Sequence, residues 1–156
     1  MSARIKLKEA DPATYKAMMA MEQYVGSVRD VSPLHKEMIR IRASQINGCA
    51  YCISAHTADA RKLGETEQRI YLMSAWKEVS EAQKAAGGPL LFPEEDQIIL
   101  AMTEEVTLIS QAGLTDATYE RALSAFGPAK TAAIIMMIIT INAWNRIGIS
   151  TRMVPE

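Results

Sequence analysis

The sequence predicts an all-α protein: a single-domain bundle of six or seven helices over residues 1–156. Three observations predict it. Strand signals are nearly absent: no run alternates in a period of two, and no Asn-Gly lies between two such runs. Apolar residues instead recur at roughly helical spacing. Helix-starting and helix-ending residues then fall at the edges of those periodic stretches.

In chain order, Ser32-Pro33 offers an N-cap with proline at the first helical position. Leu34, Met38, Ile41 and Ile46 carry the apolar spacing until Asn47-Gly48 breaks it. A second helix is expected from about Ala50 to Leu63, stopped by a left-handed Gly64. A third follows Glu65-Thr66, with Ile70, Leu72, Met73 and Trp76 as its apolar surface. Residues 81–93 begin with helix formers, then accumulate Gly87, Gly88, Pro89 and Pro93, and so read as the longest connection. Pro93-Glu94 opens a helix, acidic in its first turn as the helix dipole prefers, that is expected to reach about Ser110. Thr115 caps another ending near Phe126, and Gly127-Pro128 starts a long apolar one.

Composition narrows the function. Apolar residues make up 49% of the chain, which suits a globular protein and argues against disorder. The net charge is −1 and no basic block stands anywhere, so nucleic-acid binding has no electrostatic support. The first residues carry charge but no apolar stretch of signal-peptide length, which argues against secretion and for the cytoplasm. The longest apolar run, residues 131–144, is shorter than the roughly 20 residues a membrane span needs, and Thr140 and Asn142 interrupt it. It reads as a buried helix, with no membrane partner expected.

The chain has two cysteines and two histidines, and residues 49–56, "CAYCISAH", hold three of these four. On a helix, Cys52 lies about 60° around the axis from Cys49, and His56 about 20° from it. All three share one face. Cys52 and His56, four apart, place their Cβ atoms roughly 5–6 Å from each other. A thiolate is the nucleophilic form of cysteine, and a neighbouring base or cation raises its fraction at neutral pH. Cys49 is close enough to trap an oxidised Cys52, or the reverse. Helix physics favours Cys49 as nucleophile, because it sits nearer the positive end of the dipole; proximity to a base favours Cys52. Two buried cysteines packed as small hydrophobes form one alternative. An open zinc site with Cys49, Cys52 and His56 is another, although a closed site needs four ligands and His35 is remote in sequence. Covalent haem attachment fails, because Ile53 stands where its histidine would be.

The segment "KEMIRIRASQINGCAYCISAHTADARKLGETEQRIY" resembles the core of the alkylhydroperoxidase D-like branch of the carboxymuconolactone decarboxylase superfamily. The shared pattern is a glutamate, a CxxC beginning twelve positions on, and a histidine four after the second cysteine. Glu37, Cys49, Cys52 and His56 match every spacing. "INAWNRIGI" resembles the end of that core, and the resemblance spans about residues 15–150. It implies an all-helical fold that oligomerises, often as trimers or hexamers. It also implies a thiol-dependent peroxidase or disulfide reductase that uses no metal or other cofactor. In that implied scheme Cys52 attacks the hydroperoxide, Cys49 resolves the sulfenic acid as a disulfide, and His56, oriented by Glu37, moves the protons. An external dithiol or thiol reductant protein then restores the thiols. One position departs: Tyr51 stands where the best-known members carry a second histidine. A phenol with a pKa near 10 does not shuttle protons at neutral pH, which implies a shorter relay or weaker peroxidase activity. The lactone-decarboxylating branch lacks the cysteine pair, so that activity is disfavoured. A different class of function is a non-catalytic redox sensor or scaffold whose disulfide switches assembly.

The remaining residues have bland readings. His35 is expected to be exposed or capping at a helix start. Trp76, Trp144 and Phe126 read as core or subunit-interface anchors, and Met38, Met73, Met136 and Met137 as core fillers. Arg146, near Asn142 and Asn145, is expected to satisfy the helix dipole or an interface acid.

Overall fold

The computed structural model describes residues 4–155. Its elements are α1 (Leu7–Ala10), α2 (Pro12–Ser27), α3 (Pro33–Asn47), α4 (Ala50–Lys62), α5 (Glu67–Leu72), a 3₁₀ turn (Met73–Ala75), α6 (Trp76–Ala86), α7 (Glu94–Thr107) and α8 (Asp116–Thr151). Among the described residues, seven helices exceed one turn and no strand forms.

Local chemistry sets most of the boundaries. Ser32 Oγ accepts the His35 N–H at 3.1 Å, with Pro33 in the first turn of α3. At the other end Gly48 adopts φ 71°, and the Cys49 N–H donates back to the Ser44 carbonyl at 3.0 Å. This left-handed closure reverses the chain, so that α4 lies back along α3. Thr66 and Thr115 cap α5 and α8 by accepting the Arg69 and Thr118 N–H groups. Gly127 breaks α8 with φ 71° and ψ 171°, and Pro128 opens its long second part. The expected end near Phe126 and restart at Gly127-Pro128 are therefore both present.

Several expectations differ. The helix expected after Glu65-Thr66 is broken by the 3₁₀ turn into α5 and α6, and residues 81–86 continue α6, so the α7–α8 connection is longer than the one expected to be longest. Helix α2 was not expected at all, although Asp11 accepts the Ala13 and Thr14 N–H groups and Pro12 occupies the first turn. It buries only Val25 fully, with Tyr15, Met18 and Met21 half-buried on the same face. Helix α7 stops at Thr107 rather than near Ser110. Beyond it Leu108 and Ile109 are 37% and 60% exposed, so no burial rewards a further turn.

The core forms where α3, α7 and α8 meet. Residues 96–103 of α7 are all buried, making it the helix enclosed on every side. Met38, Ile41, Ile99, Leu100, Met102, Ile134 and Ile138 are closed off from solvent in this centre. By length and composition α8 is apolar enough to cross a membrane; here it packs against α2, α3, α4 and α7. A buried polar knot ties it to the α3–α4 turn. Asn47 Nδ2 donates to both Asn142 Oδ1 and Asn145 Oδ1 at 2.9 Å, and Asn145 Nδ2 donates to Ser44 Oγ at 2.9 Å. Asn142 Nδ2 donates to Thr107 Oγ1 at 3.0 Å. The knot holds the residue just before Gly48 and Cys49, so it fixes where α4 begins.

Candidate active site

Cys49 is the N-cap of α4, and Cys52 lies in its first turn. They are joined as a disulfide with their Cα atoms 5.4 Å apart. Cys49 is 1% exposed and faces inward against α8. Gly148 makes room for it there: a Cβ at Gly148 would lie 3.3 Å from Cys49 Sγ and 3.9 Å from Cys52 Sγ. Cys52 is also largely covered, but it borders a cavity of about 300 Å³ whose wall includes Tyr15, Glu22, Tyr51, His56 and Trp144. Of the two cysteines, only Cys52 lines this space.

Behind the imidazole stands the acid. Glu37, on α3, is 5% exposed, and its Oε2 lies 2.9 Å from His56 Nδ1. Its Oε1 accepts from Arg40 Nη1 at 2.6 Å. Burial pushes the Glu37 carboxyl upward, but the His56 hydrogen bond and the Arg40 charge outweigh it and hold the group below the usual glutamate range. An ionised carboxylate only accepts, so Nδ1 carries the imidazole proton and Nε2 remains as the basic nitrogen. The chain of contacts continues outward. Arg40 also pairs with Glu22 of α2, and Glu22 Oε2 accepts the Trp144 indole N–H at 3.2 Å.

All four residues singled out from the sequence, Cys49, Cys52, His56 and Glu37, thus converge on one place. Arg40, three residues beyond Glu37 on α3, pairs with it. Sequence reasoning missed Tyr15, Glu22 and the cavity role of Trp144. Trp144 packs against the core, as expected, and also forms part of the cavity wall. Trp76 is a core anchor, 6% exposed, with its indole N–H on Glu104 at 2.8 Å. His35 is neither exposed nor capping: its Nε2 lies 2.9 Å from Asp96 Oδ1, and Ser32 makes the cap. Arg146 donates back to the Asn142 carbonyl and Oδ1 rather than to a separate acid. Tyr51 lies partly buried on the cavity wall.

For a metal, the donors are largely committed. The cysteine sulfurs bond each other, and Glu37 engages Arg40 and His56 through separate oxygens. Asp59 completes a loose group with Glu37 and His56, but it is paired with Lys62 at 2.8 Å.

Comparison with known proteins bears on the family and the fold. Residues 12–87 match the carboxymuconolactone decarboxylase family. The uncharacterized protein YdfG of Bacillus subtilis (strain 168) is 38% identical over 150 residues, covering 96% of this chain and 95% of its own. A crystal structure from Agrobacterium tumefaciens, of a protein of unknown function proposed to be the antioxidant defence protein AhpD, is 33% identical. It covers 99% of both chains with a TM-score of 0.88. An uncharacterized peroxidase-related protein from Silicibacter sp. TM1040 is 25% identical over 90% of this chain and 69% of its own, with a TM-score of 0.70. The chain belongs to the AhpD-like carboxymuconolactone decarboxylase superfamily.

Proposed function

We propose that the protein is a thiol-dependent peroxidase that reduces hydroperoxides through Cys52 and Cys49. The observation that carries this reading is the placement of Cys52 on a cavity shared with His56, whose Nδ1 is tied to an ionised Glu37. In the reduced protein, His56 Nε2 takes the Cys52 thiol proton. The thiolate attacks the terminal oxygen of ROOH, forming an S–O bond as the O–O bond breaks. The electron pair leaves with the alkoxide, which receives the proton from His56 and departs as ROH. Cys49 then attacks the Cys52 sulfenic acid. An S–S bond forms, and hydroxide leaves and combines with the Cys49 proton as water. An external dithiol returns two electrons and two protons. The balance is ROOH plus a dithiol giving ROH, water and a disulfide. The one imidazole on this cavity must serve both half-steps.

A dithiol regenerated in every cycle suits a reducing compartment, so the cytoplasm is the proposed location. A homo-oligomer, a trimer or hexamer, is proposed as the working form. Partly exposed Ile135, Ile139 and Ala143 on α8, with Ile109 beside them, give a second copy an apolar surface to cover. The test is consumption of tert-butyl hydroperoxide by the reduced protein, with several dithiol reductants in turn. Catalytic turnover is expected. Oxidation of the pair once, with a change in oligomer size and no turnover, would instead favour a redox switch of assembly.

A further inference from the structure

The cavity at Cys52 does not end there. A second cavity of about 380 Å³ adjoins it and shares Tyr15, Tyr51, Trp144 and Met153 as common walls. The two form one groove, with Cys52 and His56 at one end. At the other end the lining includes Arg4, Lys6, Lys8 and Arg152, and no acidic residue. This is a local imbalance in a chain whose 17 basic and 18 acidic residues nearly cancel.

The far-end cations differ in availability. Lys6 is paired with Glu9 at 3.2 Å, and Arg4 donates to the Ser150 carbonyl at 2.9 Å. Among the described residues, Lys8 and Arg152 have no carboxylate within ion-pair distance. Lys8 Nζ sits 5.7 Å from the centre of the Tyr15 ring, so a groove wall holds it near the opening. Arg152 follows the last turn of α8 in the left-handed conformation, φ 56°. The helix end there contributes roughly half a negative charge, less than the three full positive charges left at Arg4, Lys8 and Arg152. Between the two ends the surface is mainly aromatic and apolar, from Tyr15, Trp144, Ile147 and Met153.

A ligand complementary to this groove has an apolar chain and an anionic terminus. We infer that the groove binds amphipathic carboxylates of the fatty-acid type, and that the preferred substrate is a hydroperoxide of that class. Its chain lies on the aromatic wall, its carboxylate meets Lys8 and Arg152, and its peroxide reaches Cys52. The substrate part of this inference rests on the peroxidase reading above; the binding part does not.

The experiment has two arms. In the first, binding of decanoate and of neutral 1-decanol is followed by the fluorescence of Trp144. Decanoate is expected to bind about tenfold more tightly at low salt, since closely opposed charges steer and hold the anion. That advantage should shrink to within about threefold in the Lys8→Gln/Arg152→Gln double variant, and likewise in about 0.5 M NaCl, where screening is strong. Lys130→Gln, which removes a positive charge some 33 Å up the same helix, should keep the full advantage. Equal affinity for the two probes, no binding of either, or an advantage that survives the double variant overturns the inference. In the second arm, kcat/KM is compared for linoleic acid hydroperoxide and its methyl ester, and the acid is expected to lead by about tenfold. An ester that reacts as fast as the acid overturns the substrate class. Inertness toward every hydroperoxide, tert-butyl hydroperoxide included, overturns the peroxidase reading, while a decanoate preference in the first arm still upholds the groove.

Discussion

The molecule contains two imidazole–carboxylate pairs of nearly the same build. His56 lies 2.9 Å from Glu37, and His35 lies 2.9 Å from Asp96. Each acid is buried, and each is also held by an arginine, Arg40 for Glu37 and Arg69 for Asp96. In both, burial raises the carboxyl pKa, and the histidine and arginine contacts bring it below the ordinary value. What separates them is the free side of the ring. His56 faces a cavity shared with a cysteine. The other nitrogen of His35, Nδ1, is buried without a partner. A histidine backed by an acid is therefore not in itself a site; the sulfur and the space beside it give one pair chemistry to do. The other pair joins α3 to α7, and Arg69 brings in α5.

Substitutions can break this contrast. Cys52→Ser should lower hydroperoxide turnover by about 1,000-fold or more, because the nucleophile itself is lost; near-normal turnover would remove Cys52 from the attacking role. His56→Asn should cost about 100-fold in kcat, within the range for losing a general base. His35→Asn should spare catalysis. Turnover stays within about twofold, while stability falls by roughly 1–3 kcal/mol as the buried pair loses a partner. Equal kinetic damage from the two histidine variants would erase the distinction drawn here. Glu37→Gln should slow turnover by about tenfold, the order seen when an orienting acid behind an imidazole is removed, and should shift the pH–rate profile. Gly148→Ala should destabilise the oxidised form by about 1–3 kcal/mol through crowding of the Cys49 sulfur, as measured by chemical denaturation.

The smallest effect is on stability against pH. Both carboxylates have folded pKa values below their ordinary 4.5 and 3.8. Each therefore contributes stability that is complete above its unfolded value and is lost as pH falls through the folded one. Wild type should lose stability on acidification below about 4.5, and a Glu37→Gln variant should lose less over that range. Parallel acid titrations of the two would contradict the assignment.

How much of this was legible in the sequence follows from distance along the chain. Cys49, Cys52 and His56 lie on one helical turn and the next, so helix geometry alone gathers them. Glu37 is reached across a single glycine-closed turn, and Asn47-Gly48 marks that turn in the sequence. Tyr15, Glu22 and Trp144 meet the site only through packing; Glu22 and Trp144 are 122 residues apart, and no local spacing relates them. His35 was misread for the same reason, since its partner Asp96 is 61 residues away. Helix α2 went unseen because it buries one side chain fully, although Asp11-Pro12 is a start signal that could have found it.

The central claim is that Cys52 is the sulfur that meets the peroxide. The direct measurement is trapping of sulfenic acid by a dimedone probe, located by mass spectrometry, in the reduced single-cysteine variants. With Cys49→Ser, one equivalent of hydroperoxide should place the label on Cys52; with Cys52→Ser, Cys49 should stay unlabelled. Label on Cys49 in the second variant, with none on Cys52 in the first, would contradict the account.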